Sequence, residues 1–167
     1  MIELNVPFRL FTEDQCEYLI ERALQQELEW GKTYSPDVKV RTNEITWLEL
    51  SEGEYDNLWN IVKDYWNEIH WYEKPIQISR YGPNQFYEWH DDAKPNRHRT
   101  SLRHLTLTCT LKSAPGAVFE TELGVYDLMP GEAILFPSKL RHRALAPTIG
   151  ERWSFTVWYM QRSYRNK

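Results

Sequence analysis

Residues 102–111, Leu102-Arg103-His104-Leu105-Thr106-Leu107-Thr108-Cys109-Thr110-Leu111, repeat with a period of two. Leu105, Leu107, Cys109 and Leu111 fall on one face, and His104, Thr106, Thr108 and Thr110 on the other. That is the signature of a strand with one apolar and one polar side. Residues 152–159 repeat it, with Trp153, Phe155, Val157 and Tyr159 opposite Arg152, Ser154, Thr156 and Trp158. Ile76 and Ile78 alternate with Gln77 and Ser79, and residues 132–136 form a short apolar run before a proline. The turn signals Gly82-Pro83, Pro115-Gly116 and Pro130-Gly131 separate these stretches. Several short strands broken by such turns point to a β-sandwich or barrel.

Upstream the period lengthens. Thr12 with Gln15 is a capping-box start, with Glu13 and Asp14 in the first turn. Cys16, Leu19, Ile20, Ala23 and Leu24 then recur at helical spacing as one buried stripe. A second helix is expected from Ser51, capped with Glu54, its apolar face being Tyr55, Leu58, Trp59, Val62, Trp66 and Ile69. Between the helices, Val38 to Leu50 reads as a strand or two. No repeat, low-complexity tract or linker divides the chain. The expected fold is therefore α+β in one domain, 1–167. A mainly helical segment, 1–74, braces a jelly-roll core (a cupin-like double-stranded β-helix) over 75–160.

Composition narrows the function classes. Hydrophobic residues make up 41% and charged residues 26%, an ordinary globular balance. Eight Trp and ten Tyr suit a core or pocket built from large flat side chains. A net charge of -4 gives no overall attraction to nucleic acid or an anionic membrane, although a local basic patch stays open. Cys16 and Cys109, without a secretory signal, make no disulfide framework and are expected to be reduced. No apolar run approaches the length of a membrane span. A cytoplasmic protein is the expectation, and the sequence does not set the oligomeric state.

The chemistry gathers around a few histidines. His90 and Asp92 flank one residue, so on an extended strand both side chains point the same way. An imidazole and a carboxylate so placed can take adjacent positions on a metal, and His142 is the natural third ligand. Two His and one carboxylate on one face of a six-coordinate ion leave three positions open. Taken alone, H-x-D also fits an exposed turn, and His142, between Arg141 and Arg143, also fits a solvated loop. Arg152 lies ten residues beyond His142, at the start of a strand that carries Ser154 and Trp158 on the same face. A distal carboxylate calls for a rigid bidentate cation, which Arg supplies and Lys does not. Ser154 can donate a further hydrogen bond. In isolation Arg152 also fits a surface cation.

Tyr81-Gly82-Pro83-Asn84-Gln85-Phe86-Tyr87-Glu88-Trp89-His90-Asp91-Asp92 resembles the signature of the prolyl 4-hydroxylase-like 2-oxoglutarate oxygenases, which carry a tyrosine three residues before H-x-D. Arg103-His104-Leu105-Thr106, then Pro130 to Phe136, then His142 through Arg152, Ser154 and Trp158 follow in the family's order. The resemblance covers about residues 76–160. It implies Fe(II) held by His90, Asp92 and His142, with Arg152 gripping the far carboxylate of 2-oxoglutarate. Tyr87 and Ser154 would assist, with Tyr81 and Thr106 as further contacts and Trp158 beside the iron. It also implies O2 as cosubstrate, with ascorbate as an accessory reductant. Where many relatives have Gly-Gly-Glu-Thr, this chain has Pro115-Gly116-Ala117-Val118-Phe119-Glu120, so substrate choice does not transfer.

The implied activity is hydroxylation of an aliphatic C–H, foremost in a peptidyl residue such as proline. A free amino acid or other small molecule is the alternative, and a non-catalytic metal-binding jelly roll is a third reading. Nucleic-acid demethylases of similar metal chemistry carry R-x-N-x-T-x-R. Here the run is Arg152-Trp153-Ser154-Phe155-Thr156-Val157-Trp158, lacking the asparagine and the final arginine. Lys94, Arg97, His98, Arg99 and Arg103, together with Lys139, Arg141 and Arg143, suggest either solvated loops or a basic rim for an acidic substrate. Trp89 and Trp153 are candidate pocket walls. His70 is expected at a helix end and His104 in a structural hydrogen bond.

Overall fold

In chain order the elements are β1 (Phe8–Arg9), α1 (Glu13–Leu24), β2 (Glu29–Trp30), β3 (Glu44–Leu48), α2 (Glu52–Ile61), a 3-10 turn (Lys63–Tyr65) and β4 (Ile69–Tyr72). There follow β5 (Ile76–Tyr81), β6 (Tyr87–His90), β7 (Arg103–Lys112), β8 (Phe119–Thr121), β9 (Gly124–Tyr126), β10 (Glu132–Pro137), β11 (His142–Ala144) and β12 (Arg152–Gln161). The structure, a computed structural model, describes residues 1–30, 40–93 and 102–161, with the backbone alone for Glu29, Trp30 and His70. Lys94, Arg97, His98 and Arg99 of the expected basic rim lie outside the described residues, as does Val38.

The strands form two antiparallel sheets. The major sheet runs β1-β10-β7-β12-β5-β3-β2, with β4 also paired to β12. The minor sheet runs β6-β11-β8-β9. This is the jelly-roll arrangement expected from the alternating stretches. Register explains why the alternation matters. β12 lies between β5 and β7, with Ser154 opposite Ser79 and Thr110, and Thr156 opposite Gln77 and Thr108. Neighbouring strands therefore present matching polar residues on one side and matching apolar residues on the other.

The apolar side faces the helices. Ile76, Ile78, Leu105, Leu107, Cys109, Leu111, Trp153, Phe155, Val157 and Tyr159 join Cys16, Leu19 and Ala23 of α1 and Tyr55 and Leu58 of α2 in one core. Each large apolar side chain fully buried there contributes about 1.5–3 kcal/mol. Tyr159 keeps its hydroxyl satisfied by donating to Leu58 O at 2.7 Å. The N-terminal segment supplies these helices and also β1 to β4, so it extends the sheet as well as bracing it.

The helix expectations hold at the starts and fail at the ends. Thr12 makes the full capping box with Gln15. Ser51 Oγ accepts from Glu54 N, and Glu54 accepts from that hydroxyl rather than closing the box. Leu24, at the last turn of α1, is exposed, and so is Trp66. α2 stops at Ile61, and the apolar rhythm passes through the 3-10 turn into β4, where Ile69 is buried. His70 accordingly lies in a strand rather than at a helix end.

Pro130-Gly131 is the turn that locks the N-terminus onto the sheet. Gly131 O accepts from Leu10 N and Phe11 N, while Gly131 N donates to Thr110 O. Its φ is +88°, and a Cβ would collide with Phe11 O, so both the turn and the close approach require glycine.

Candidate active site

The polar side of the major sheet is covered by the minor sheet, and a cavity lies between them. Its lining includes Gln77, Ser79 and Tyr81 from β5, Thr106 and Thr108 from β7, and Arg152, Ser154, Thr156 and Trp158 from β12. Tyr87 and His90 of β6 and Phe119, His142 and Ala144 close it from the minor sheet, with Asp92, Phe136 and Arg41 completing the wall. Trp153 points to the helical core, and Trp89 is not among the lining residues but sits under Arg143, so neither expected pocket role is realised.

Pairing of β6 with β11 sets His142 directly opposite His90. Asp92, two residues past the end of the paired stretch, donates its backbone N–H to Ser138 O at 2.7 Å, which turns its carboxylate back under both rings. His90 Nε2 lies 3.6 Å from Asp92 Oδ1 and His142 Nε2 lies 3.3 Å from Asp92 Oδ2. One donor atom from each residue falls within 4.8 Å of the others. Ligand bonds of about 2.1 Å at right angles separate donors by roughly 3 Å, so the cluster suits a central cation.

The imidazole tautomers are fixed by the backbone. His90 Nδ1 lies 2.6 Å from Glu88 O, and His142 Nδ1 lies 2.9 Å from Leu140 O. A carbonyl can only accept, so each Nδ1 carries the proton and each Nε2 offers its lone pair to the shared point. Tyr87 stacks on His90 with ring centroids 3.4 Å apart and 9° between planes, holding that ring in place. Thr106 Oγ1 donates to Asp92 Oδ2 at 3.1 Å and also contacts Ser138 Oγ at 2.9 Å. Thr106, expected as a cosubstrate contact, lines the cavity and touches the carboxylate ligand candidate. Ser138 was not expected at all; it carries no short-range signal, since it acts through both its backbone and its hydroxyl.

The electrostatics follow from burial and proximity. Burial, reinforced by His142, pushes the His90 imidazole down to about 3, against the pull of Asp92. Burial alone would raise Asp92, but the charges of His142 and His90 and the His142 hydrogen bond hold it well below the ordinary carboxylate range. For His142 burial favours the neutral form, yet Asp92, by charge and hydrogen bond, raises its pKa overall. Burial pushes the Tyr87 phenol up to about 12, so it is a neutral hydroxyl at any physiological pH.

Arg152 stands at the far end of the same polar face, opposite Tyr81. It is 3% exposed, its Nη2 has no hydrogen-bond partner, and burial lowers its pKa. Among the described residues no carboxylate pairs with it. A buried guanidinium with a free N–H at the end of a hydroxyl-lined cavity, opposite a His/Asp/His cluster, fits a cosubstrate that spans from metal to cation through two carboxylates. The Fe(II) and 2-oxoglutarate implied by the sequence resemblance therefore have a matching donor set here.

Other expected residues fall elsewhere. His104 bonds Glu68 at 2.8 Å, the structural role foreseen. Arg103 pairs with Glu73 and lies over Trp158, and Arg143 pairs with Glu120, so both of these rim cations are already compensated. Arg41, Gln77, Ser79, Thr108 and Phe119 line the cavity without having been singled out as site residues. For Gln77, Ser79 and Thr108 the signal was present in the polar half of the alternation.

The sequence profile of the 2OG-Fe(II) oxygenase superfamily matches residues 76–160. No curated protein matches the sequence. Among solved structures, a viral collagen prolyl hydroxylase from Paramecium Bursaria Chlorella virus-1, in its 2OG complex, superposes with a TM-score of 0.73 at 22% identity, covering 93% of this chain and 94% of its own. A Pseudomonas putida prolyl-4-hydroxylase gives 0.73 at 18% identity, covering 95% and 92%. A Trichoplax adhaerens prolyl hydroxylase in complex with a hypoxia inducible factor peptide fragment gives 0.67 at 19%, covering 92% and 82%. At these identities the likeness speaks for the fold. With the profile covering half of the sequence and the jelly roll shared almost end to end, the chain belongs to the 2OG-Fe(II) oxygenase superfamily, as a dioxygenase that uses Fe(II), 2-oxoglutarate and O2.

Proposed function

We propose that this dioxygenase hydroxylates an aliphatic C–H of a peptidyl residue, with proline as the first candidate. In this reading His90, Asp92 and His142 hold Fe(II), and Arg152 holds the far carboxylate of 2-oxoglutarate. The observation that carries it is a single cavity with three converging metal-type donors at one end and the unpartnered Nη2 of buried Arg152 at the other. Bound Fe(II), with 2-oxoglutarate and O2, supplies oxidative decarboxylation to succinate and CO2 and the delivery of one oxygen atom to the substrate.

The chain's own residues set the geometry. His90 and His142 present neutral Nε2 atoms because their Nδ1 protons are held by Glu88 O and Leu140 O. Asp92 is kept anionic by His142 and His90 and oriented by the Thr106 hydroxyl. With these three residues as its protein ligands, a bound Fe(II) would keep coordination positions free for small molecules. Arg152 and Ser154 fix the distal carboxylate, Tyr81 flanks the guanidinium, and Phe119, Phe136 and Trp158 keep water from the reacting end. The preference for a prolyl substrate is supported by the sequence signature and by the prolyl hydroxylases among the structural neighbours, one of them in complex with a peptide.

The test is a mass-spectrometric screen of prolyl peptides and free amino acids. The expected result is a gain of one oxygen atom that requires both Fe(II) and 2-oxoglutarate and disappears in His90→Ala, Asp92→Ala and His142→Ala. Oxygen gained only on free amino acids would overturn the peptidyl reading, and full turnover in any of the three variants would overturn the ligand assignment.

A further inference from the structure

Arg41 is a second guanidinium in the cavity, and the chemistry so far gives it nothing to do. It reaches the site because residues 40–42 run along β6. Glu88 N donates to Val40 O, Thr42 N donates to Phe86 O, and Arg41 forms an isolated antiparallel bridge with Tyr87. The side chain then turns inward and is held firmly. Nε donates to Asn43 Oδ1 at 2.6 Å, and Nη2 donates to Gln77 Oε1 at 3.1 Å and Ser79 Oγ at 3.3 Å. Its Cζ lies 4.4 Å from the centre of the Tyr87 ring. His90 already covers one face of that ring at 3.4 Å, so Arg41 covers the other.

Every one of these partners is neutral. They orient the guanidinium without compensating its charge, and among the described residues no carboxylate forms an ion pair with it. The other cations near the site behave differently: Arg103 is matched to Glu73 and Arg143 to Glu120. Among the described residues of the cavity wall, the charged side chains other than histidine are Arg41, Arg152 and Asp92. Asp92 belongs to the metal cluster, and Arg152 answers the distal carboxylate of the cosubstrate. Among the described residues Nη1 makes no hydrogen bond, and the guanidinium lies against Tyr87, beside Gln77 and Ser79, where an incoming substrate would lie. A fixed guanidinium with neutral supports and a free N–H2 group is suited to a carboxylate, since a charge-assisted hydrogen bond recognises an anion better than a neutral group.

We propose that Arg41, supported by Gln77, is the carboxylate-binding residue of the substrate subsite, and that the preferred substrate carries a free carboxylate close to the carbon that is hydroxylated. The proposal rests on the oxygenase reading of the cavity and narrows its substrate class. The carboxylate is either the α-carboxylate of a free or C-terminal residue or the side chain of an acidic neighbour in a peptide.

Calorimetric binding to protein loaded with Mn(II) and 2-oxoglutarate in oxygen-free buffer tests this without turnover. Two probe pairs distinguish the sources: N-acetyl-proline against N-acetyl-prolinamide, and acetyl-Glu-Pro-amide against acetyl-Gln-Pro-amide. One pair is expected to show at least about a tenfold preference for the anion, and Arg41→Met is expected to reduce it to less than about threefold, the change a lost charge-assisted hydrogen bond produces. Arg41→Lys should keep part of the preference. Equal binding within both pairs in the unaltered protein overturns the proposal and needs no variant to be folded. So does an Arg41→Met effect that falls mainly on the 2-oxoglutarate dissociation constant. Anion preference without oxygen gained by any prolyl probe counts against the prolyl reading alone. Oxygen gained without anion preference counts against Arg41 alone.

Discussion

Arg152→Met separates binding from folding in a way that few active-site changes do. The guanidinium is buried, its Nη2 is unpartnered, and among the described residues its charge has no counter-ion. A buried donor left unsatisfied costs about 1–3 kcal/mol, and a charged one more. Against this the guanidinium gains a contact with the Tyr81 ring, 5.5 Å from its centre, which is worth roughly 0.5–2 kcal/mol. An apolar side chain of similar reach should therefore leave the cosubstrate-free protein as stable as before or up to about 2 kcal/mol more stable. At about 2–4 °C per kcal/mol for a domain of this size, Tm rises by roughly 0–8 °C. Cosubstrate binding moves the other way. Two charge-assisted hydrogen bonds at about 1.5–3 kcal/mol each are lost, which weakens 2-oxoglutarate by roughly two to four powers of ten. Thermal melts with and without 2-oxoglutarate, and calorimetry with Mn(II) in oxygen-free buffer, read both effects. Affinity retained within about threefold would refute the anchor. A fall of Tm by more than about 5 °C would show that the guanidinium has a structural partner instead.

Thr106→Val removes the hydroxyl that donates to Asp92 Oδ2 while keeping the strand's shape; metal affinity should drop about 10- to 100-fold, as for lost ligand supports generally, and an unchanged affinity by anaerobic titration would assign Thr106 to the fold alone. In metal-free protein His90 refuses a proton down to about 3 while the unfolded chain accepts one near 6.5. Its contribution to stability is therefore full above that upper value and is lost as pH falls toward the lower one. His142, whose pKa is raised, works in the opposite sense, its stabilisation being lost as pH rises through the folded value. Urea melts of His90→Phe should thus show a flatter acid limb than the parent, and an equally steep limb would place the acid sensitivity elsewhere. Gly131→Ala forces a Cβ into Phe11 O at a φ of +88° and should cost roughly 3 kcal/mol or more. Its Tm should fall by at least about 6 °C, and a change within about a degree would mean that the β1 segment simply moves aside.

The sequence disclosed most where one local pattern decided both structure and chemistry. The alternation in 102–111 and 152–159 set which side chains meet the helices and which face the other way; all four residues on the polar face of 152–159 line the cavity, as do Thr106 and Thr108 of 102–111. H-x-D brought its two side chains together by another route than the expected shared strand face, since β6 ends at His90 and Asp92 is placed by its backbone hydrogen bond to Ser138. What stayed hidden depended on distant pairing. The apolar rhythm of α2 runs unbroken past Ile61, but the backbone leaves the helix because β4 finds a partner in β12, roughly ninety residues away, which outweighs a helical preference worth tenths of a kcal/mol per residue. Arg41 had no signature at all, since only its bridge to Tyr87 brings it inward. Thr106 was placed at the right cavity, while its contact with Asp92 was not foreseen, because strand alternation fixes a face and leaves open what stands above it.

Orphan donors explain why this cavity is a receptor and not a packing defect. Three buried side-chain polar atoms among the described residues lack a partner: Asn5 Oδ1, Arg152 Nη2 and Trp158 Nε1. Two of the three are N–H donors on the same face of β12, and both residues line the cavity. Folded proteins avoid leaving donors unmatched in the interior. Both donors instead flank a space that ends at the His/Asp/His cluster. Two orphan N–H donors, with the charge of Arg41 held beside them on neutral partners, favour a guest rich in acceptor oxygens. In the proposed reading, a dicarboxylate reaching from Arg152 to the metal would meet that demand at one end. The Trp158 Nε1–H would then be left for the substrate, and with the proposed role of Arg41 a guest without a carbonyl or carboxylate oxygen beside its reacting carbon would be the wrong molecule for this pocket.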